Sequence, residues 1–189
     1  MADYGLLAKQ IVSLAEVDAH WLPVLSNAAA LLWDALDDIN WIGFYLVDSA
    51  TVVDLGMGLE QDLESCSKPG SEPGLEPGSS ELRLPELRLG PFQGKVACVR
   101  IPFGRGVCGT AAATKTSQLV EDVHQFPGHI ACDSASNSEV VVPIFKDEQV
   151  VGVLDIDSPS VARFTQEDLA GLEQVVEALE SCANFSDFC

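Results

Sequence analysis

Apolar residues recur at helical spacing from the start of the chain. Leu6, Leu7, Ile11, Leu14 and Val17 fall three and four apart, which predicts an amphipathic helix over residues 5–17. A second helix is expected over residues 20–38, where Pro23 is tolerable only in the first turn. The period then changes. Trp-Ile-Gly-Phe-Tyr-Leu-Val (41–47) is aromatic and β-branched and predicts a strand. After an interruption, residues 95–101 read as a strand, 106–115 as a short helix entered through a Gly-rich turn, and 118–120 as a brief strand. A loop carrying Gly and His covers 123–138. Residues 139–145 and 149–157 read as a hairpin about Lys146-Asp147-Glu148. Thr165-x-x-Asp168 then opens a last helix, in the manner of a capping box, that runs to residue 182. This order predicts an α+β fold: a central antiparallel sheet with helices packed on it, among them the N- and C-terminal helices.

Residues 56–88 break the pattern. Lys-Pro-Gly-Ser-Glu-Pro-Gly-Leu-Glu-Pro-Gly-Ser-Ser (68–80) repeats Pro-Gly every four residues and holds little that can be buried. The stretch reads as a disordered loop inserted between two strands. Because its ends rejoin neighbouring strands, the entropy of closing it grows slowly with length, and the fold tolerates it. With 189 residues, 47% of them hydrophobic, the chain is expected to form one domain over 1–182 with a C-terminal tail at 183–189.

Charge narrows the function classes. The net charge of −19, from 29 acidic and 10 basic residues, repels phosphates and anionic lipid and argues against nucleic-acid or membrane-surface binding. No apolar run approaches the ~20 residues a spanning helix needs, and the first residues lack a basic segment followed by an apolar one. A cytoplasmic location is the expectation. Six cysteines, at 66, 98, 108, 132, 182 and 189, are too few for a disulfide scaffold. In a reducing compartment such thiols are core residues, metal ligands or redox catalysts.

Side chains two apart on a strand share a face, so Trp41 and Tyr45 project together while Ile42, Phe44 and Leu46 face the other way. An indole and a phenol so placed either wall a pocket for a small apolar group or fill the core with their polar tips satisfied. Asp155 and Asp157 share a face in the same manner. If Glu139, which opens the neighbouring strand, lies alongside, three acids crowd one site. They form either the solvated end of an edge strand or a cleft that binds an ammonium group and keeps one acid protonated for proton donation. Cys132 stands in a loop beside His129, where exposure and a nearby cation favour a reactive thiolate. Cys98, in a predicted strand, and Cys108, at a helix entry, are equally readable as small core hydrophobes. His124 and His129 have a metal-ligand spacing, but no closely spaced Cys pair accompanies them, so no metal site is expected. There is no phosphate-binding Gly-x₄-Gly-Lys-Ser/Thr loop and no Gly-x-Ser-x-Gly elbow.

Five segments carry a resemblance: Trp-Ile-Gly-Phe-Tyr-Leu (41–46), Leu-Gly-Pro-Phe-Gln-Gly-Lys (89–95), Gly-Arg-Gly-Val-Cys-Gly-Thr-Ala (104–111), Gly-His-Ile-Ala-Cys-Asp-Ser-Ala-Ser-Asn-Ser-Glu (128–139) and Gly-Val-Leu-Asp-Ile-Asp-Ser (152–158). In this order, over nearly the whole chain except the inserted loop and the last residues, they resemble the free methionine-R-sulfoxide reductases, which are GAF-domain proteins. The resemblance implies that Cys132 attacks the sulfoxide sulfur of free methionine-R-sulfoxide and is left as a sulfenic acid. It implies that Cys98 resolves this to a disulfide, that Cys108 is an auxiliary thiol, and that thioredoxin restores the thiols. By the same likeness Trp41 and Tyr45 pack around the S-methyl group. Glu139, Asp155 and Asp157 hold the α-ammonium and activate the sulfoxide oxygen, with Asp157 and Glu139 the first choices for proton donor. No cofactor is implied, and a homodimer through the N-terminal helices is expected. Cys66, Cys182 and Cys189 have no counterpart in these segments. Cys182 is expected to pack at a helix end and Cys189 to lie in the tail. The rival from another class is a non-catalytic GAF module that senses a small ligand or dimerises, for which the cysteines need not meet.

Overall fold

The structure, a computed structural model, describes residues 2–48, 85–128 and 134–186. It opens with helices α1 (Tyr4–Ala15) and α2 (Trp21–Ala35), followed by strands β1 (Trp41–Val47), β2 (Glu86–Gly94) and β3 (Arg100–Pro102). Helix α3 (Gly106–Thr114) leads to β4 (Gln118–Val120), β5 (Ser138–Lys146) and β6 (Gln149–Ser158), and α4 (Gln166–Cys182) follows. The strands form one sheet, every pair antiparallel, in the order β3-β2-β1-β6-β5-β4. The expected α+β arrangement is present.

Strands β1 and β6 lie at the centre of the sheet, and every residue of β1 is buried. Alternate side chains feed two separate cores. Ile42, Phe44 and Leu46 join the larger one, with Leu25 and Leu32 of α2 and Leu172 and Val175 of α4. Trp41, Tyr45 and Val47 face the other way, into a smaller cluster with Val107, Cys108 and Ala111 of α3. A strand covered on both faces needs no polar side, so the run at 41–47 is almost continuously apolar.

Several boundaries differ from the sequence expectation. Helix α1 buries Tyr4, Leu7, Ala8, Ile11 and Ala15, whereas Leu6, Leu14 and Val17 are exposed. The reason is close approach to α4: the Tyr4 ring lies where a side chain on Gly171 would stand, 2.1 Å from a Cβ placed there. Helix α2 ends at Ala35 because Leu36 is extended and Asp38 takes a left-handed φ of 57°. Residues 95–99, expected within a strand, form a loop, so Cys98 is not a strand residue. Gly94 turns out of β2 with a φ of 126°, Val96 and Val99 are exposed, and the ladder between β2 and the following segment covers Arg100–Pro102. Strand β2 starts inside the expected insertion, because Leu87 is fully buried in the smaller core. The rest of the insertion, with Cys66, lies outside the described residues, as do His129, Cys132 and Cys189. Within 123–138 a 3₁₀ turn spans Val123–Gln125. The β5–β6 turn places Asp147 and Glu148 at φ 49° and 64°, the left-handed pair that two-residue hairpin turns adopt.

The segment expected as a tail is anchored in its described part. The Asn184 N–H donates to the Ala19 carbonyl at 2.6 Å, and Phe185 is 1% exposed in the larger core. Among the described residues no helix is long and apolar enough to cross a membrane.

Helix α4 opens with the expected capping box. The Thr165 hydroxyl accepts from the Asp168 N–H at 3.2 Å, and the Asp168 carboxylate accepts from the Thr165 N–H at 2.9 Å and from the Tyr4 hydroxyl at 2.6 Å. Burial pushes the Asp168 carboxyl up, but the bonds from Tyr4 and Thr165 and the charge of Arg163 outweigh it and hold the group below its usual range. A depressed folded-state pKa contributes stability above the unfolded carboxylate range and loses it as pH falls. Thr165→Ala should cost about 1 kcal/mol in urea denaturation at pH 7. Asp168→Ala should cost more, with a difference from wild type that shrinks on acidification.

Candidate functional site

Register brings the three acids together. Across β1 and β6, Trp41 pairs with Asp157 and Gly43 with Asp155; across β5 and β6, Glu139 pairs with Asp157 and Val141 with Asp155. All three carboxylates therefore leave the sheet on the α3 side. A solvated edge strand is excluded, because β6 is central and Glu139 and Asp155 are only 6% and 5% exposed. Asp157, nearer the strand end, is half-buried. Above them sits Cys108 of α3, whose thiol donates to Glu139 Oε1 at 3.8 Å. One polar atom from each of Cys108, Glu139 and Asp155 lies within 4.8 Å of the others.

Such a cluster cannot hold all its charges. Burial, then the charges of Asp155 and Asp157, push Glu139 well above the usual carboxylate range. Asp155 is raised by burial to about 6, with hydrogen bonds from Cys108 and Glu139 pulling the other way. Oδ1 of Asp155 is buried without a hydrogen-bond partner, and a proton retained within the pair relieves the repulsion between the two carboxylates. Burial and the nearby carboxylates also raise the Cys108 thiol, which stays neutral. Tyr45 is pushed up by burial, then by Asp155, Cys108 and the other acids, and remains a phenol.

Trp41 and Tyr45 share the acids' face, as strand alternation requires, but they are 3% and 1% exposed. The Trp41 ring stacks on Tyr45 with centroids 5.8 Å apart and on Phe92 at 5.5 Å, and its N–H donates to the Lys95 carbonyl at 3.1 Å. Gly43 makes the stack possible. A Cβ there would stand 2.4 Å from the Cβ of Phe92 and 2.5 Å from the Trp41 ring. Sequence reasoning missed Phe92, which becomes visible only once the β1–β2 register sets it opposite Gly43.

The cysteines divide. Among the described residues Cys108 and Cys182 are free thiols, while Cys98 is half-buried and disulfide-bonded. Its partner is thus neither Cys108 nor Cys182. Cys182 packs against the larger core at the end of α4, as expected. His124 bonds Asn137 at 3.0 Å.

A sheet with α3 on one face, α1, α2 and α4 on the other, and a polar cluster buried under α3 defines a small-ligand domain class, and the GAF domain family matches residues 24–182. The free methionine-R-sulfoxide reductase of Escherichia coli (strain K12) is 44% identical over 98% of this chain and 91% of its own length. The structure of fRMsr of Staphylococcus aureus in complex with substrate superposes with a TM-score of 0.72 at 46% identity, over 97% of each chain. The free methionine-R-sulfoxide reductase from Neisseria meningitidis, also in complex with its substrate, gives a TM-score of 0.73 at 38% identity, over 94% of this chain and 86% of that one. The chain belongs to the GAF-domain family and, within it, to the free methionine-R-sulfoxide reductases.

The raised carboxyls have a consequence for stability. A folded-state pKa above the unfolded value contributes stability below pH ~4 that is lost as pH rises through the folded-state value. For Asp155 that loss is complete as pH rises past about 6, and Glu139, raised well above the usual carboxylate range, adds to it in the same direction. Glu139→Gln should therefore stabilise the fold at pH 8 by about 1 kcal/mol or more and give no advantage at pH 4. Thermal unfolding across that range checks it; a variant less stable than wild type at pH 8 would show that the ionised pair carries no penalty.

Proposed function

We propose that this chain reduces free L-methionine-(R)-sulfoxide to methionine with its own thiols as the immediate electron source. The observation that carries the reading is the buried Glu139–Asp155 pair, set under a thiol-bearing helix on the same sheet face as Trp41 and Tyr45. A sulfoxide is a poor electrophile until its oxygen is protonated, so the reaction needs an acid that keeps its proton near neutral pH. Glu139 meets that requirement, while Asp155 and Asp157 are left to hold the substrate ammonium. Peptide-bound sulfoxide lacks that ammonium and would leave the buried carboxylates unmatched. Trp41 and Tyr45 supply the apolar contact for the S-methyl group and so the preference for the R configuration.

In this scheme the Cys132 thiolate attacks the sulfur of the protonated sulfoxide. In the S–S-bonded adduct the hydroxyl passes from the substrate sulfur to Cys132; the substrate S–O bond and the S–S bond break, methionine leaves, and Cys132 is left as sulfenic acid. The Cys98 thiolate attacks that sulfur, water departs, and a Cys98–Cys132 disulfide forms. A dithiol protein, thioredoxin in our reading, reduces it by exchange, so one sulfoxide and two thiols yield sulfide, water and disulfide. The disulfide at Cys98 supports its resolving role, and the neutral, buried state of Cys108 suits an auxiliary thiol rather than the first nucleophile. No cofactor takes part. Exposed Leu6 and Leu14 on α1 and Leu22 and Trp33 on α2 offer an apolar face for a homodimer through the N-terminal helices.

Methionine release from separate R and S sulfoxides, with thioredoxin as reductant, tests the reading. Turnover should be confined to the R form and fall at least ~10³-fold in Cys132→Ser. Neither form turning over, with the protein folded and reduced, would replace the reductase with a ligand-sensing GAF module. In the same assay Glu139→Gln should lower kcat by about 10²–10⁴-fold, the usual worth of a positioned acid. An unchanged kcat would move the proton donor to Asp157.

A further inference from the structure

Cys108, Glu139 and Asp155 offer a thiol and two carboxylates, all buried, converging from three elements (α3, β5 and β6) on one point. Their spacing approaches that of a coordination shell, with one ligand atom from each within 4.8 Å of the others, so that a bound ion would draw them together. A sulfur and an oxygen bound at about 2.3 and 2.1 Å to one tetrahedral zinc lie about 3.6 Å apart, and Cys108 Sγ stands 3.8 Å from Glu139 Oε1. The third ligand supplies an independent sign. Asp155 is 5% exposed, and its Oδ1 has no hydrogen-bond partner although it is sealed from solvent. A buried carboxylate oxygen left without a donor is what a cation would satisfy.

We propose that Cys108, Glu139 and Asp155 form a binding site for one thiophilic divalent cation of the Zn²⁺ or Cd²⁺ class. Mixed thiolate and carboxylate donors suit such ions, whereas Mg²⁺ and Ca²⁺ select all-oxygen shells. The ion exchanges for protons, because ligands bind metal deprotonated. The Cys108 thiol gives up its proton on binding, and the ion takes the place of any proton shared by the carboxyl pair. An ion held there removes the proton that Glu139 keeps and neutralises both carboxylates. The site is thereby a point of reversible inhibition by thiophilic metal. That last consequence rests on the functional reading above; metal binding does not.

The test is titration of the reduced full chain with Cd²⁺, read by ultraviolet thiolate-to-metal charge-transfer absorption, and it needs no turnover. One equivalent should bind. The band should persist in Cys182→Ser and in the Cys98→Ser, Cys132→Ser double variant, and be lost in Cys108→Ser. Glu139→Gln and Asp155→Asn should each weaken affinity at least tenfold. Calorimetry on the wild type, in buffers of different ionisation heat, should show at least one proton released per ion, that of the Cys108 thiol, and this holds the proposal falsifiable should Cys108→Ser fail to fold. A band at full strength in folded Cys108→Ser, a band lost with Cys98 and Cys132, or binding without proton release would overturn the site.

Discussion

Two carboxylates cannot both stay ionised when they are buried side by side, and in this structure Glu139 and Asp155 are held in that position by a central sheet. Their relief comes from a retained proton and from the thiol of Cys108 above them. Much of the surrounding structure follows from keeping that arrangement dry. Helix α3 covers it, Trp41 and Tyr45 close one side, and Phe92 stacks behind Trp41. The cluster is costly to the fold, because each acid would be better solvated elsewhere. A protein that maintains it holds one carboxyl well above the usual carboxylate range.

How much of this was legible in the sequence follows from the range of the interactions. Alternation along 41–47 put Trp41 and Tyr45 on one face and Ile42, Phe44 and Leu46 on the other, because a period of two is local. The pairing of Asp155 with Asp157 came from the same rule. Glu139 required the β5–β6 register, which the turn at 147–148 sets only together with a shift between Ile144 and Phe145 that the sequence does not announce. The five motif segments then named the family that the comparisons give.

What stayed hidden depended on contacts distant in sequence. Periodicity in α1 selected Leu7 and Ile11, which are buried, but also Leu6, Leu14 and Val17, which are not; the buried face runs on through Tyr4, Ala8 and Ala15, because the ring of Tyr4 fits over a glycine in α4. Phe92 and the Gly43 gap it fills needed a strand register across the insertion. The loop at 95–99 looked like a strand because Val96 and Val99 are β-branched, but both are exposed, and they meet the sheet through the Val99 carbonyl, which accepts from the Leu89 N–H at 3.0 Å. Propensity describes a segment; burial is decided by the rest of the chain.

The base of the long β1–β2 connection has its own meaning. At the Val47 end of β1, Asp48 pairs with Arg88 and Arg100 and its N–H donates to the Glu86 carbonyl, while Arg100 also pairs with Glu86. Trp41, opposite Asp157, stands at the other end of the strand, about 20 Å away for six steps of extended chain. A charged clasp at one pole and a dry polar cluster at the other make β1 a spacer between two independently evolvable regions. Lineages can lengthen, shorten or redecorate the connection between the strands while the residues that would meet substrate stay under separate selection.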